Sequence, residues 1–337
     1  MINMIKKALR AGISLRRRAL ERACADDVRG VLNGQAIEFL DVGASGGIIP
    51  RWRPYREDLA FTGVEPDARS IPALVNSAEA KVFRGYEIIP FGAWSRNGPV
   101  NISFTRKPMC SSHFMPNRAF LSRFPQIERF DVVASNEVDC RTVDDLLASA
   151  GKSVDFIKLD LEGGELAVLE GATKTLQMCM GLHVEVCFQS IREGQPLYAD
   201  VQCFLGSRGI EFVDFVALMR WERRSFSGPG QAIFADALFL RSPENLLSIP
   251  SAGILSPAKA RVYLAILLIY ERYDLAEKFL ELLNERNVAL SQSENAACML
   301  VVKRRKASFD RRFRLVAMLG RMFSRFAGDN YGLHIIY

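Results

Sequence analysis

The stretch "VDFIKLDLEGGELAVLEGA", residues 154–172, decides the fold. An apolar run with strand character delivers Lys158, Asp160, Glu162 and Glu165, broken by the pair Gly163-Gly164. A helical pattern follows. A strand–turn–helix unit of this kind puts its charge at the carboxyl end of a strand, where open α/β sheets bind ligands. A metal cage, an acid/base pair, a cofactor shelf and a solvated helix start are all compatible with that charge.

Working outward, short apolar runs separated by glycine-bearing turns repeat on both sides. "IEFLDV", "FTGVEP", "YEIIPFGAW", "GLHVEVCF", "IEFVDFVAL" and "AIFADALFL" read as further strands. Helical patterns such as "TVDDLLASAG" and "GELAVLEGATKTL" lie between several of them. Strands alternating with helices predict a mostly parallel sheet covered on both faces. The less regular region from Asn97 to Val138 reads as an insertion over one edge. After Arg241 the strands stop, and "SPAKARVYLAILLIYERYDLAEKFLELLNERN" reads as a helical hairpin with Asp274 capping its second helix. Ser291 and Glu294 stand at capping-box spacing for a further helix. The expected division is a basic helical segment at 1–35, an α/β domain at 36–242 and a basic helical region at 243–337.

Composition excludes several classes. A chain of 337 residues, 49% hydrophobic and 24% charged, is long enough for a sizeable core and too apolar for disorder. Seven cysteines, an odd number without a C-x-x-C pair, give no disulfide framework and no zinc ribbon. Three histidines argue against a histidine-rich metal site. The longest apolar stretch, "VYLAILLIY" at 262–270, is far below the roughly 20 residues that span a bilayer. No signal peptide is evident, so the expected location is the cytoplasm. The net charge of +6 gathers at the two ends. Solvated helix faces account for that, and so does peripheral contact with an anionic membrane surface, since Ile2, Ile5, Leu9 and Ile13 recur at helical spacing beside Lys6, Lys7 and Arg10. No nucleic-acid recognition motif joins the basic ends.

"FLDVGASGG" places a strand, then Asp41, then a turn of small residues: Gly43, Ala44, Ser45 and Gly47. A dinucleotide fingerprint needs G-x-G-x-x-G, and Ser45 and Ile48 stand where its second and third glycines belong. A phosphate-binding P-loop fails for want of glycine-lysine-serine/threonine. Glu65 follows 22 positions after Gly43, at the tip of the next strand beside Pro66. An acid there accepts hydrogen bonds from ribose hydroxyls. Asp41 with Glu65, and no phosphate grip, describes S-adenosylmethionine.

"DVGASGG", "GVEPD", "GAWSRNGPVNISF", "VDCRTVDDLL", "DFIKLDLEGGELAVLEGA" and "LHVEVCFQ" occur in the order and spacing of the FkbM family of methyltransferases, which this chain resembles from Ile37 to Arg241. The resemblance implies a Rossmann-like class I methyltransferase fold. It also implies S-adenosylmethionine as cofactor and methyl transfer to a hydroxyl of a glycan or other natural product. The chain departs at Ser45, where the family usually has asparagine.

Within that frame Asp160 lines the pocket beside the methyl group and Glu162 is the candidate base. Glu165 belongs to the first turn of the next helix, where a negative charge suits the helix dipole. Lys158 is expected to pair with Glu185 of the neighbouring strand. His113 could close over the acceptor from the insertion, and Trp94, with Ala93, could flank the adenine. "CFQSIREGQPLY" is read as an acceptor-binding loop. No metal is assigned, because Asp160 and Glu162 lack a third ligand. Two rivals stay open: a nicotinamide-dependent reductase on the same sheet, and a binding module that kept the fold without the chemistry.

Overall fold

The structure is a computed structural model that describes residues 19–223, 230–248 and 255–327. The basic residues from Lys6 to Arg18 and the apolar positions between them lie outside that range. Compactness divides the described residues into two units, one of 37–47 and 60–246, the other of 19–36, 48–59 and 247–327.

The larger unit is built on a seven-stranded sheet. Its strands are β1 (Ile37–Val42), β2 (Leu59–Val64), β3 (Gly85–Ile89), β7 (Phe156–Leu159), β8 (Gly181–Cys187), β9 (Ile210–Trp221) and β10 (Gln231–Arg241). They lie in the order β3-β2-β1-β7-β8-β10-β9. β1 pairs in parallel with β7 and β7 with β8, whereas β10 runs antiparallel to both β8 and β9. Numbered along the chain the order is 3-2-1-4-5-7-6, the Rossmann-like class I methyltransferase arrangement. Parallel central strands buried on both faces are near-continuously apolar, and "FIKL" of β7 is buried at all four positions. That makes Lys158 the exception to be explained.

Helices α2 (Ile71–Val75), α4 (Val143–Ala150), α5 (Glu165–Glu170), α6 (Thr173–Met178) and α7 (Tyr198–Gly206) lie between these strands, while α3 (Arg118–Leu121) lies in the insertion. Leu146, Leu147, Val168, Leu169, Leu176, Val201 and Leu205 of these helices join Leu40, Val42, Ile157, Leu159, Leu182 and Val184 in one core. On another part of the sheet Phe39 stacks between Phe61 and Phe156, each 5.9 Å away. Thr142 caps α4 by accepting from the Asp145 amide, and Gly151 ends it in the left-handed conformation.

"GELAVLEGATKTL" forms two helices where the periodicity predicts one. Gly171 explains the break: a Cβ there would run into the Trp94 carbonyl, so the helix stops where the chain passes another backbone. A second, three-stranded sheet in the order β4-β6-β5, from β4 (Gly92–Ala93), β5 (Gly98–Thr105) and β6 (Val132–Arg141), includes the expected insertion and extends past both its ends. Phe120, Leu121, Phe124 and Phe130 of the insertion pack with Cys187, Ile191 and Ile233 in a satellite core.

The smaller unit joins the two ends of the chain, which the sequence reading kept apart. A helix over 19–32 (α1) buries Val28, Val31 and Leu32, and the Val31 carbonyl accepts from Arg261. α9 (Pro257–Ile269), α10 (Tyr273–Arg286) and α11 (Gln292–Ala327) complete the unit, after α8 (Pro243–Ser248). The Trp52 indole donates to the Tyr270 hydroxyl at 3.0 Å, which is why residues 48–59 belong here. The Ser291–Glu294 capping box forms, with the Ser291 amide donating to the Glu294 carboxylate. Asp274 is not a cap: α10 begins at Tyr273, leaving Asp274 in its first turn.

Candidate active site

The carboxyl ends of β1, β2 and β7 adjoin. Gly43 follows β1 in the left-handed conformation (φ 84°) with its amide donating to the Val64 carbonyl. A Cβ on Gly43 would collide with the carbonyl oxygen of Asp160. The glycine turn and the acid turn therefore touch backbone to backbone. On the outer side of the glycine turn, a Cβ at Gly46 or Gly47 would meet nothing within 4 Å, which leaves that backbone open to a ligand. Ala44 is buried beneath the turn, while Ser45 and Pro66 are exposed.

Lys158 sits under this junction. Its ammonium reaches Asp41 at 3.0 Å, Asp160 at 3.5 Å and the Gly43 carbonyl at 3.2 Å. Burial works against the charge, but Asp41 and Asp160 outweigh it and raise the Lys158 pKa. The expected Lys158–Glu185 pair is not formed. Register decides this: Lys158 stands opposite Asp41 on β1 and His183 on β8, and Glu185 lies further along beside Asp236. Asp41 is corrected too. It is fully buried, its carboxyl pushed up to about 6 by desolvation against the pull of Lys158. It braces β1 to β7 from below and offers a ligand no surface.

Glu65 keeps the expected place at the tip of β2. Its carboxylate holds the Asp67 amide at 2.9 Å, and burial raises its pKa. Asp160 is the most exposed of the acids around the turn. Glu165, at the first position of α5, is buried and accepts from the Leu161 and Gly163 amides, at 2.7 and 3.0 Å. It holds the turn in shape, as the sequence reading placed it.

Glu162 adopts a left-handed backbone (φ 56°) and its carbonyl accepts from the Ser112 hydroxyl at 2.8 Å. Its carboxylate pairs with Arg192. Burial lifts the Glu162 carboxyl to about 7, against Arg192 and with help from Asp160. Burial, then Glu162 and Asp160, push Glu185 well above the usual carboxylate range. Asp160, Glu162 and Glu185 each bring an oxygen within 4.8 Å of the others. Glu185 thus supplies the third hard oxygen that the sequence reading found missing for a cation, although Lys158 and Arg192 already meet part of the trio's charge.

Trp94 and His113 come together at 4.8 Å, and His113 meets Phe114 at 5.2 Å. The Trp94 ring lies 3.0 Å from where a Gly164 Cβ would stand, which places it beside the acid turn. Ala93 is buried behind it. His113 is exposed, with Nδ1 at 3.0 Å from the Asn101 carbonyl. His183 is buried on β8, 3.6 Å from Asp236. Arg192 was missed in the sequence. The signal was a cation in "CFQSIREGQPLY", the loop singled out for other reasons.

Part of this site falls within a known domain. Residues 96–212 match the methyltransferase FkbM domain. The FkbM match takes in β5 and β6 of the second sheet, the acid turn, Glu185 and Arg192, and leaves the glycine turn, Glu65 and β4 outside; it is narrower than the resemblance traced from Ile37 to Arg241. No curated protein matches the chain. Among solved structures, magnesium protoporphyrin IX methyltransferase (ChlM) of Synechocystis PCC 6803 with bound SAM is similar at 11% identity, TM-score 0.35, over 72% of this chain and 86% of that one. The N-methyltransferase NodS of Bradyrhizobium japonicum WM9 is similar at 9% identity, TM-score 0.32, over 67% and 96%. A TehB-like SAM-dependent methyltransferase of Corynebacterium glutamicum ATCC 13032 Kitasato gives 12%, 0.30, 70% and 99%. These likenesses are weak, and the fold stands on its sheet order. No described helix is long and apolar enough to cross a membrane.

Proposed function

We propose that the protein is an S-adenosylmethionine-dependent O-methyltransferase acting on a hydroxyl of a glycan, a lipid-linked saccharide or another natural product. The observation that carries this reading is the contact between Gly43 and Asp160, which joins a nucleoside-type turn to a cluster of acids. When bound, S-adenosylmethionine supplies the methyl group on a good leaving group. The backbone of Gly43, Ser45 and Gly47 and the Glu65 carboxylate are the residues that would hold it. The chain's own work is alignment and proton removal.

Asp160 lines the wall of the pocket, its position fixed by Lys158. Glu162 takes the proton of the acceptor hydroxyl. A base whose pKa lies near the working pH is well suited to that step, and burial brings Glu162 there. Trp94, His113 and Phe114 form an aromatic wall beside the same turn. Peripheral contact of the basic ends with an anionic membrane belongs to the same reading and would suit a lipid-linked acceptor.

Methyl-labelled S-adenosylmethionine incubated with the protein and a fractionated extract of its own cells tests the reading. A labelled small molecule or glycan is expected with wild type, and Glu162→Gln should lower the yield on the order of 100-fold or more while S-adenosylhomocysteine still binds. Binding of NAD(H) in place of S-adenosylhomocysteine would favour the reductase.

A further inference from the structure

We propose that Arg192 is the positioning residue of the base Glu162, and that it locks two loops onto the acid turn to shape the acceptor side of the site. The proposal rests on the methyltransferase reading above.

Arg192 is wholly buried, which is costly for a guanidinium unless its charge is met. One of its terminal nitrogens, Nη2, donates both to the Glu162 carboxylate and to the Cys110 carbonyl, the latter at 3.3 Å. Among the described residues Nε and Nη1 find no acceptor, so Nη2 with these two partners directs the group. The Phe130 ring lies 5.9 Å away and backs it. Around this centre the loop after β8 is laced to the insertion. The Glu193 amide donates to the Met115 carbonyl at 2.8 Å, and the Asn117 amide to the Ile191 carbonyl at 3.0 Å. Pro116 and Arg192 form an isolated bridge, and the Asn117 side chain reaches the Ser190 carbonyl.

Glu162 itself is strained. A left-handed backbone at a non-glycine residue is unfavourable and persists only where the surroundings over-determine it. Here the surroundings are the Ser112 hydroxyl on the Glu162 carbonyl and Arg192 on its carboxylate. Three segments remote in sequence thus meet at one guanidinium: the acid turn, the insertion loop at 110–117 and the loop at 190–195. An arginine placed only to balance charge would need none of the contact with Cys110.

Arg192→Lys and Arg192→Met test the role. Lysine keeps a cation beside Glu162, but as a compact, strongly hydrated ammonium on a flexible stem rather than a rigid guanidinium that aims Nη2 at both acceptors. Hydrogen exchange at the Asn117 and Glu193 amides should quicken at least about tenfold in both variants, with the α4 amides unchanged. In the labelled-extract assay, Arg192→Lys should transfer on the order of 10- to 100-fold less methyl group, with half-saturation moved to higher extract concentration. Wild-type exchange at both amides, or an Arg192→Lys transfer curve that overlays wild type, would overturn the proposal. Calorimetry with S-adenosylhomocysteine on wild type tests the underlying reading separately, because loss of that binding would sink the cofactor and leave the exchange result intact.

Discussion

Lys158 and Asp41 face each other at 3.0 Å across β7 and β1, both almost wholly buried. The pair supports the floor of the site, since the same ammonium also holds the Gly43 carbonyl and Asp160. Breaking a buried pair strands the remaining charge, at about 3–5 kcal/mol. Lys158→Met should therefore lower unfolding free energy by that order, read from urea denaturation. The double variant Lys158→Met with Asp41→Asn should recover a large part. Equal losses in single and double variants would count against the floor.

Glycine is required at 43 and not at 46. Gly43 has a positive φ and the Asp160 carbonyl against its α-carbon, whereas a Cβ at Gly46 meets open space. Gly43→Ala should lose S-adenosylhomocysteine affinity by at least about tenfold, through the strain and displacement it forces on both turns. Gly46→Ala should fold as wild type and lose stability by less than about 1 kcal/mol. Circular-dichroism melts and calorimetry on the two variants check both statements.

Asp41 and Glu162 set a pH dependence with a definite sign. Desolvation raises their carboxyls to about 6 and about 7, so the folded protein keeps these protons where the unfolded chain has released them. The stability they contribute is complete below the ordinary carboxylate range and is lost as pH rises through about 6 and about 7. Glu294 works the other way, held down to about 2 by Ser291 and then Arg261, and its contribution is lost only in stronger acid. The urea midpoint should fall between about pH 5 and pH 8, and Asp41→Asn should flatten the lower part of that slope. A midpoint that climbs across the interval would contradict the assignment.

Much of this was legible in the sequence. Strands, turns and the two sets of acids follow from periodicity and glycine placement, and seven quoted runs became sheet strands. Partner choice was not legible. Lys158 lies between two strands that each carry an acid, and only the register shows that Asp41 stands opposite while Glu185 is displaced. Arg192 escaped because its partners lie on two segments remote from it in sequence, Glu162 on the acid turn and Cys110 on the insertion, whose path no periodicity encodes. The helix break at Gly171 depends likewise on a backbone approaching from Trp94.

The basic C-terminal residues spend part of their charge internally. Arg304 and Arg305 face Asp27, Lys306 faces Glu277 and Arg312 faces Glu271. If the ends also hold the protein at a membrane, it should sediment with anionic vesicles and be released by salt within the usual screening range. Equal, weak sedimentation with neutral and anionic vesicles would end that part of the proposal.

The central claim is that the glycine turn and the acid turn together hold S-adenosylmethionine. A crystal structure with S-adenosylhomocysteine tests it most directly. The predicted result has the ribose hydroxyls on Glu65, the amino-acid arm along Gly43–Gly47 and the sulfur facing Asp160. A crevice filled by side chains, with the nucleoside absent or bound elsewhere, would contradict it.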